Sequence, residues 1–408
     1  MQALQQHGIH PVVTLYHWDL PEALEQQGGW RNASIVDAFT QYAGTCFAHF
    51  GPYVKLWITI NEPFVISWLG HGLGIHAPGR CSSRSQCPEG DSATEPYLVA
   101  HHLLLSHAKA YQLFQDVYKS KLNTKIGISL NSDWIEPWRA DSDLDKEAAQ
   151  RYLDFSLGWF ADPIFFGDYP ASMKHVAALP VFTEEQKSLL KGSTDFFGLN
   201  HYTSSYAIHG RSPGQYGWAN DSDVTPTQIG VDNKTIGTPS GCSWLFVVPQ
   251  GFRKLLNYIK NRYNNTDIFV TENGVSVPGE ASMPMSEALS DKFRSSYLND
   301  YMNQMLLALE DGVRVKGYFI WSLMDNFEWA DGYEVRFGLY YVDYTNNRTR
   351  LPKESLSFLK AYITDYTEPE WRWLWLLFGI PSLAVLGIIG YCVWRDRISE
   401  SKYNIVDS

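Results

Sequence analysis

The 408-residue chain has no Cys-x-x-Cys pair and no Cys/His cluster at metal-ligand spacing, so a zinc or redox centre has no ligands to draw on. It has no basic stripe. Its 33 Lys and Arg stand against 44 Asp and Glu, a formal net charge of −11, and nucleic acid needs a basic footprint. No Gly-rich phosphate loop follows the first candidate strand, which argues against a doubly wound nucleotide-binding sheet. No cofactor, no metal and no nucleic acid partner is therefore expected. The opening stretch, MQALQQHGIHPVVTLY, lacks a basic region followed by a long apolar run, so it does not read as a signal peptide.

Aromatics are plentiful. Fifteen tryptophans and 24 tyrosines exceed what a core needs, and such an excess suits a cleft that binds rings. Five cysteines are present, of which Cys81 and Cys87 lie in one polar loop, GRCSSRSQCPEG. They could close a small disulfide, as in an oxidising compartment, or remain free thiols. Glycosylation triplets begin at Asn32, Asn220, Asn233, Asn264 and Asn347, mild support for the secretory pathway.

Residues 373–394, WLWLLFGIPSLAVLGIIGYCVW, carry no charge. At about 1.5 Å per residue such a run spans roughly 33 Å, enough to cross a bilayer. Tryptophans and a tyrosine crowd its two ends, as at membrane interfaces. Arg395, Arg397 and Lys402 follow it, while Asp365, Glu368 and Glu370 precede it. The positive-inside rule then puts a short tail (395–408) in the cytosol and the large domain (1–364) in the lumen or outside, joined by a linker at 365–372. The expectation is a single-pass membrane protein, with the endoplasmic reticulum favoured and the cell surface possible.

Candidate strands fall at 11–16, 54–60, 125–130, 195–200, 267–271 and 315–321, and most lack a polar face, as strands buried on both sides do. Candidate helices fall at 34–50, 95–119, 145–160, 250–263, 286–311 and 353–363. Alternating units of this kind imply a parallel sheet with right-handed crossovers. Polar residues sit just past the strands: His17, Asn61 with Glu62, Asn131, Asn200 with Tyr202, Glu272, and Glu328. In an eight-stranded α/β barrel such positions meet at one mouth. The long segment 209–241 is expected to be a lid or rim loop. Glu62 and Glu272, remote in sequence, could then face each other. Two facing carboxyls, one protonated and one ionised, are what glycoside hydrolysis requires. Taken singly, each residue has a plainer reading. A lone Glu after a strand is usually a rim or helix-cap acid, and a lone Trp is usually core.

Five stretches in order shift that balance: TLYHWDLP (14–21), WITINEP (57–63), DFFGLNHYTS (195–204), VTENGV (270–275) and WSLMDNFEWADGYEVRFGLYYVDY (321–344). Together they resemble the signatures of the family 1 β-glycosidases. With the apolar C-terminal run, the chain is most similar to the membrane-bound lactase/Klotho branch of that family. The resemblance implies a (β/α)8 TIM barrel, a retaining mechanism, Glu62 as acid/base and Glu272 as nucleophile. It implies sugar contacts from His17, Asn61, Asn200, Glu328 and Trp329, a platform from Trp321, and a donor to Glu272 from Tyr202. In this family two strand–helix units precede TLYHWDLP. The expectation is thus a barrel lacking its first two units, with doubtful activity in this form. The partner would be a β-linked glucoside, galactoside or glycan. The competing expectation is a non-catalytic, Klotho-like protein that binds a protein or glycan at the membrane; a fragment held by quality control is a third.

Overall fold

The computed structural model describes residues 1–211, 216–367 and 404–405. Six parallel strands form the principal sheet: β1 (Val12–Tyr16), β2 (Leu56–Asn61), β3 (Lys125–Asn131), β4 (Phe197–Asn200), β5 (Ile268–Glu272) and β6 (Val315–Tyr318). They pair in chain order, and a two-residue strand, Asn404–Ile405, lies alongside β6. Every expected strand is found within two residues at its start. The reason is chemical. β-Branched and aromatic residues fill these runs, and Trp57, Ile60, Ile126, Leu199, Ile268 and Val270 are all fully buried. Burying each such side chain stabilises the fold by about 1.5–3 kcal/mol before entropy is counted. Among the described residues the sheet is an arc with β1 at one edge, six barrel strands where a closed family barrel has eight.

Helices cover the outer face: α1 (Ile35–Phe50), α2 (Glu95–Leu113), α3 (Asp143–Leu153), α4 (Pro249–Arg262), α5 (Lys292–Glu310) and α6 (Glu354–Thr367). The buried residues of α1, Ile35, Val36, Phe39, Ala43 and Phe47, recur three and four apart and face the sheet. Proline opens α4, where its missing N–H costs nothing, and Lys260 and Arg262 close it, complementing the helix dipole. Ser142 caps α3 by accepting the Asp145 N–H at 3.2 Å. The last helix runs to Thr367, so the linker expected at 365–372 begins as helix.

The segment 209–241 is more anchored than a free lid. Ser204–His209 pairs with Trp134–Pro137 and with Val224–Thr227. Buried Trp218 donates its indole N–H to the Phe155 carbonyl at 2.7 Å, and Tyr97 donates to Asp221 at 2.7 Å. Cys81 and Cys87 are joined as a disulfide, which settles that alternative. Among the described residues no helix is long and apolar enough to cross a membrane. The expected span at 373–394 and the tail at 395–408 (apart from the short strand) lie outside the described residues.

Candidate active site

The strand ends set the site. In parallel barrels the C-terminal ends of the strands converge on one mouth, and both glutamates are there. The pairing register slips between Ile58 and Asn61 on β2, and again between Val270 and Glu272 on β5. Such irregularities re-aim the side chains that follow them. Glu62 then takes a left-handed backbone, φ 47°, at the head of a short turn of helix whose N-terminus its side chain does not cap. The helix-cap reading of this acid is thereby removed. A left-handed glutamate is strained, and strain of this kind gathers at functional sites. Trp18 (φ 73°) and Trp329 (φ 44°), both at the same mouth, share the feature.

Hydrogen bonds and ring contacts hold the expected residues in neighbouring groups. Asn200, fully buried, donates through Nδ2 to Glu62 Oε1 at 2.7 Å and to Asn61 Oδ1 at 3.1 Å. Its own Oδ1 accepts from Thr271 at 2.6 Å, which fixes the amide's orientation. Asn61 Nδ2 lies 3.2 Å from His17 Nε2. Tyr202 donates its hydroxyl to Glu272 Oε2 at 2.6 Å. Its backbone carbonyl is held in turn by the hydroxyls of Tyr297 and Tyr301 at 3.0 and 3.1 Å. Trp321 donates its indole N–H to Glu328 Oε2 at 3.2 Å. The His17 ring lies 5.8 Å from that of Trp321 and stacks at 5.6 Å on that of Trp329. All nine expected residues are thus at one place.

The electrostatics follow from burial. Glu62 is pushed up to about 7, first by burial and then by the charges of Asp133 and Glu328, against the Asn200 hydrogen bond. Burial also raises Glu272 well above the carboxylate range, and the neighbouring charge of Glu62 adds to it; Tyr202 works the other way. Ionising one of two such neighbours makes it harder to ionise the other. Glu328 is pushed up to about 7 by burial as well. His17 is pulled down to about 4 by burial, so it is a neutral ring at working pH. Among the described residues no lysine or arginine appears among the influences on these three acids. No His/Cys/Asp/Glu group among the described residues forms a metal cage.

Several neighbours were not expected from sequence. Trp18 packs 4.4 Å from Trp329 and donates to the Asn61 carbonyl at 2.9 Å. His76 meets the edge of Trp18 at 5.3 Å, and Trp244 meets Tyr202 at 5.7 Å. Asp133, raised to about 7 by burial, stands past β3. Trp18 sits inside a signature stretch, which is a usable signal; His76 and Trp244 sit in loops whose path only the fold reveals.

A barrel wall with two coupled carboxyls at its open end, surrounded by amides and flat rings, defines a glycosidase-type α/β barrel. Residues 1–367 match the family model Glycosyl hydrolase family 1, and the chain belongs to that family. It is 47% identical over 377 residues to Beta-glucosidase 25 of Oryza sativa subsp. japonica, covering 90% of this chain and 75% of the relative. To Beta-glucosidase 1B of Phanerodontia chrysosporium it is 48% identical over 378 residues, covering 90% and 68%. Among solved structures it is similar to a mutant rice Os3BGlu6 β-glucosidase in covalent complex with Glc from GA4GE. That likeness has a TM-score of 0.86 and 45% identity, and covers 88% of this chain and 77% of the other. A β-glucosidase from the fungus Humicola insolens, in complex with glucose, gives a TM-score of 0.87 at 43% identity, covering 89% and 77%. These relatives are plant and fungal β-glucosidases. They do not support the expected placement in the membrane-bound lactase/Klotho branch.

Proposed function

We propose that the protein is a retaining β-glucosidase that cleaves β-glucosides by double displacement. The observation that carries this is two buried acids side by side, Glu62 held by Asn200 and Glu272 by Tyr202, with the charge of Glu62 acting on Glu272. In the first step Glu272 attacks the anomeric carbon while Glu62 gives its proton to the departing oxygen. The negative charge of Glu272 is consumed in the ester bond. Glu62 then ionises more easily and takes a proton from the incoming water. Tyr202 opposes the burial that raises Glu272, since a hydroxyl hydrogen bond favours the charged form that the attack needs. With His17 neutral and its Nε2 accepting from Asn61, Nδ1–H is left to donate to a sugar hydroxyl. Trp321 offers an apolar face to the ring, Glu328 accepts from hydroxyls, and Asn61 and Trp329 complete the grip.

The test is turnover of an aryl β-glucoside by the whole chain. Glu272→Gln should lower it by on the order of 10³-fold or more. Glu62→Gln should leave a covalently glucosylated protein, visible as a mass increment on Glu272, when the leaving group needs no proton. Absence of both turnover and adduct would sink the hydrolase reading. A galactoside substrate and a protein or glycan partner have no observation favouring them here. A membrane tether at 373–394 is supported by its uncharged sequence alone, and resistance to alkaline extraction would test it.

A further inference from the structure

Behind the mouth lies a second cluster of charge that the chemistry does not use. Lys353, Asp325, Arg336, Glu280, Arg294 and Asp291 are all buried. Lys353 Nζ donates to Asp325 at 2.9 Å and to Glu280. Arg336 donates to Asp325 at 2.5 Å and to the Val342 carbonyl at 3.0 Å. Arg294 donates to Glu280 at 2.6 Å, to Asp291, to the Val275 carbonyl at 3.1 Å and to the Arg336 carbonyl at 2.9 Å. Three cations face three carboxylates, so the cluster closes on itself with no net charge.

Its place in the chain gives it meaning. Residues 322–340 double back, with Leu339 N–H on the Ser322 carbonyl at 2.9 Å and Tyr340 N–H on the Leu323 carbonyl at 2.9 Å. Asp325 sits between the arms and accepts the N–H groups of Gly338 and Val342 at 3.0 and 3.2 Å. The approach is so close that a Cβ on Gly338 would fall 2.6 Å from the Asp325 carboxylate. The tip of this doubled segment carries Glu328 and Trp329, and its Phe327 and Tyr333 are more than half exposed. The tip is therefore solvated and the base is pinned. Arg294 extends the same pin to Val275, three residues past Glu272.

We propose that this closed cluster, with Lys353 at its centre, is a positioning device that holds the Glu328–Trp329 tip in register with the nucleophile strand. A buried ionic network is weak evidence for stability, since well-packed apolar groups can do as well, but it fixes one geometry. The inference rests on the reading of Glu328 and Trp329 as sugar contacts, and Lys353 acts through them.

The experiment has two arms on the full chain. Amide hydrogen exchange needs no turnover. In Lys353→Met, exchange should speed up about tenfold or more across residues 325–342 while α1, α2 and β1–β3 keep their protection. Kinetics with an aryl β-glucoside form the second arm. KM should rise about tenfold with kcat changed less than about threefold. In a Glu328→Gln background the same substitution should change KM less than about twofold, because the contact it positions is already gone. Unchanged exchange at 325–342, or an equal KM effect in both backgrounds, overturns the proposal. Asp325→Asn, which keeps shape and removes charge, is the second variant and should behave alike. If neither variant folds, the cluster serves stability alone and the proposal also falls. A wild-type chain without turnover would refute the hydrolase reading but leave the exchange arm to decide this one.

Discussion

At the scale of single residues, the site is governed by what burial does to carboxylates. Glu62, pushed up to about 7, holds its proton over the range in which a leaving oxygen needs it. The rate constant kcat/KM should therefore fall on the alkaline side with a midpoint near pH 7, and a pH–rate profile checks this. The same shift has a stability sign. A carboxyl whose native pKa lies above its unfolded value binds its proton more tightly when folded, so stability declines as pH rises from the unfolded value to about 7. Glu62→Gln should accordingly raise unfolding stability by on the order of 3 kcal/mol at pH 8 and by little at pH 4. Denaturant melts at the two pH values measure the difference; an equal effect at both would contradict it. Sequence could propose Glu62 and Glu272 because strand, carboxylate and turn are all local. It could not supply the left-handed backbone at Glu62, or the Tyr297 and Tyr301 hydroxyls behind Tyr202. Those depend on elements far away in the chain.

At the scale of elements, the strands were legible and the loops were not. β2 and β5 read directly because their side chains are apolar on both faces, and that pattern has few other outcomes. The 209–241 segment reads as a lid or rim loop from its length and its Gly, Ser and Thr content, and Trp218 and the paired strand at Val224–Thr227 fasten it. One buried aromatic outweighs many polar neighbours, and composition averages it away. The disulfide loop behaves likewise. Cys81–Cys87 closes a short ring at the base of the turn that brings His76 against Trp18. A Cβ on Gly74 would lie 2.2 Å from the Cys87 sulfur, so the loop has no room to settle elsewhere. Replacing both cysteines by serine should cost about 2 kcal/mol, as closure of so small a ring implies. It should also raise KM through the loosened His76 edge. Thermal melts with and without reductant, alongside KM, check both parts; insensitivity to reductant would count against them.

At the scale of the whole molecule, residues 1–367 form one family domain, and its relatives match it over most of its length. Of the five glycosylation triplets, Asn233, Asn264 and Asn347 lie on exposed turns with left-handed backbone. Asn32 and Asn220 instead spend their amide N–H groups on Gln27 and Asp221. Expression in secretory cells should therefore load the first three in preference, read by peptide mass after glycan removal; modification confined to Asn32 and Asn220 would refute the assignment. The molecule's formal charge of −11 has a further reach. The vestibule gathers Glu62, Glu272 and Glu328, and among the described residues no cationic side chain is among the influences on them. Such a hollow is a ready host for small protonated amines. Amine buffers and nitrogen-containing sugar mimics should compete with the glucoside for it, and salt should weaken their hold.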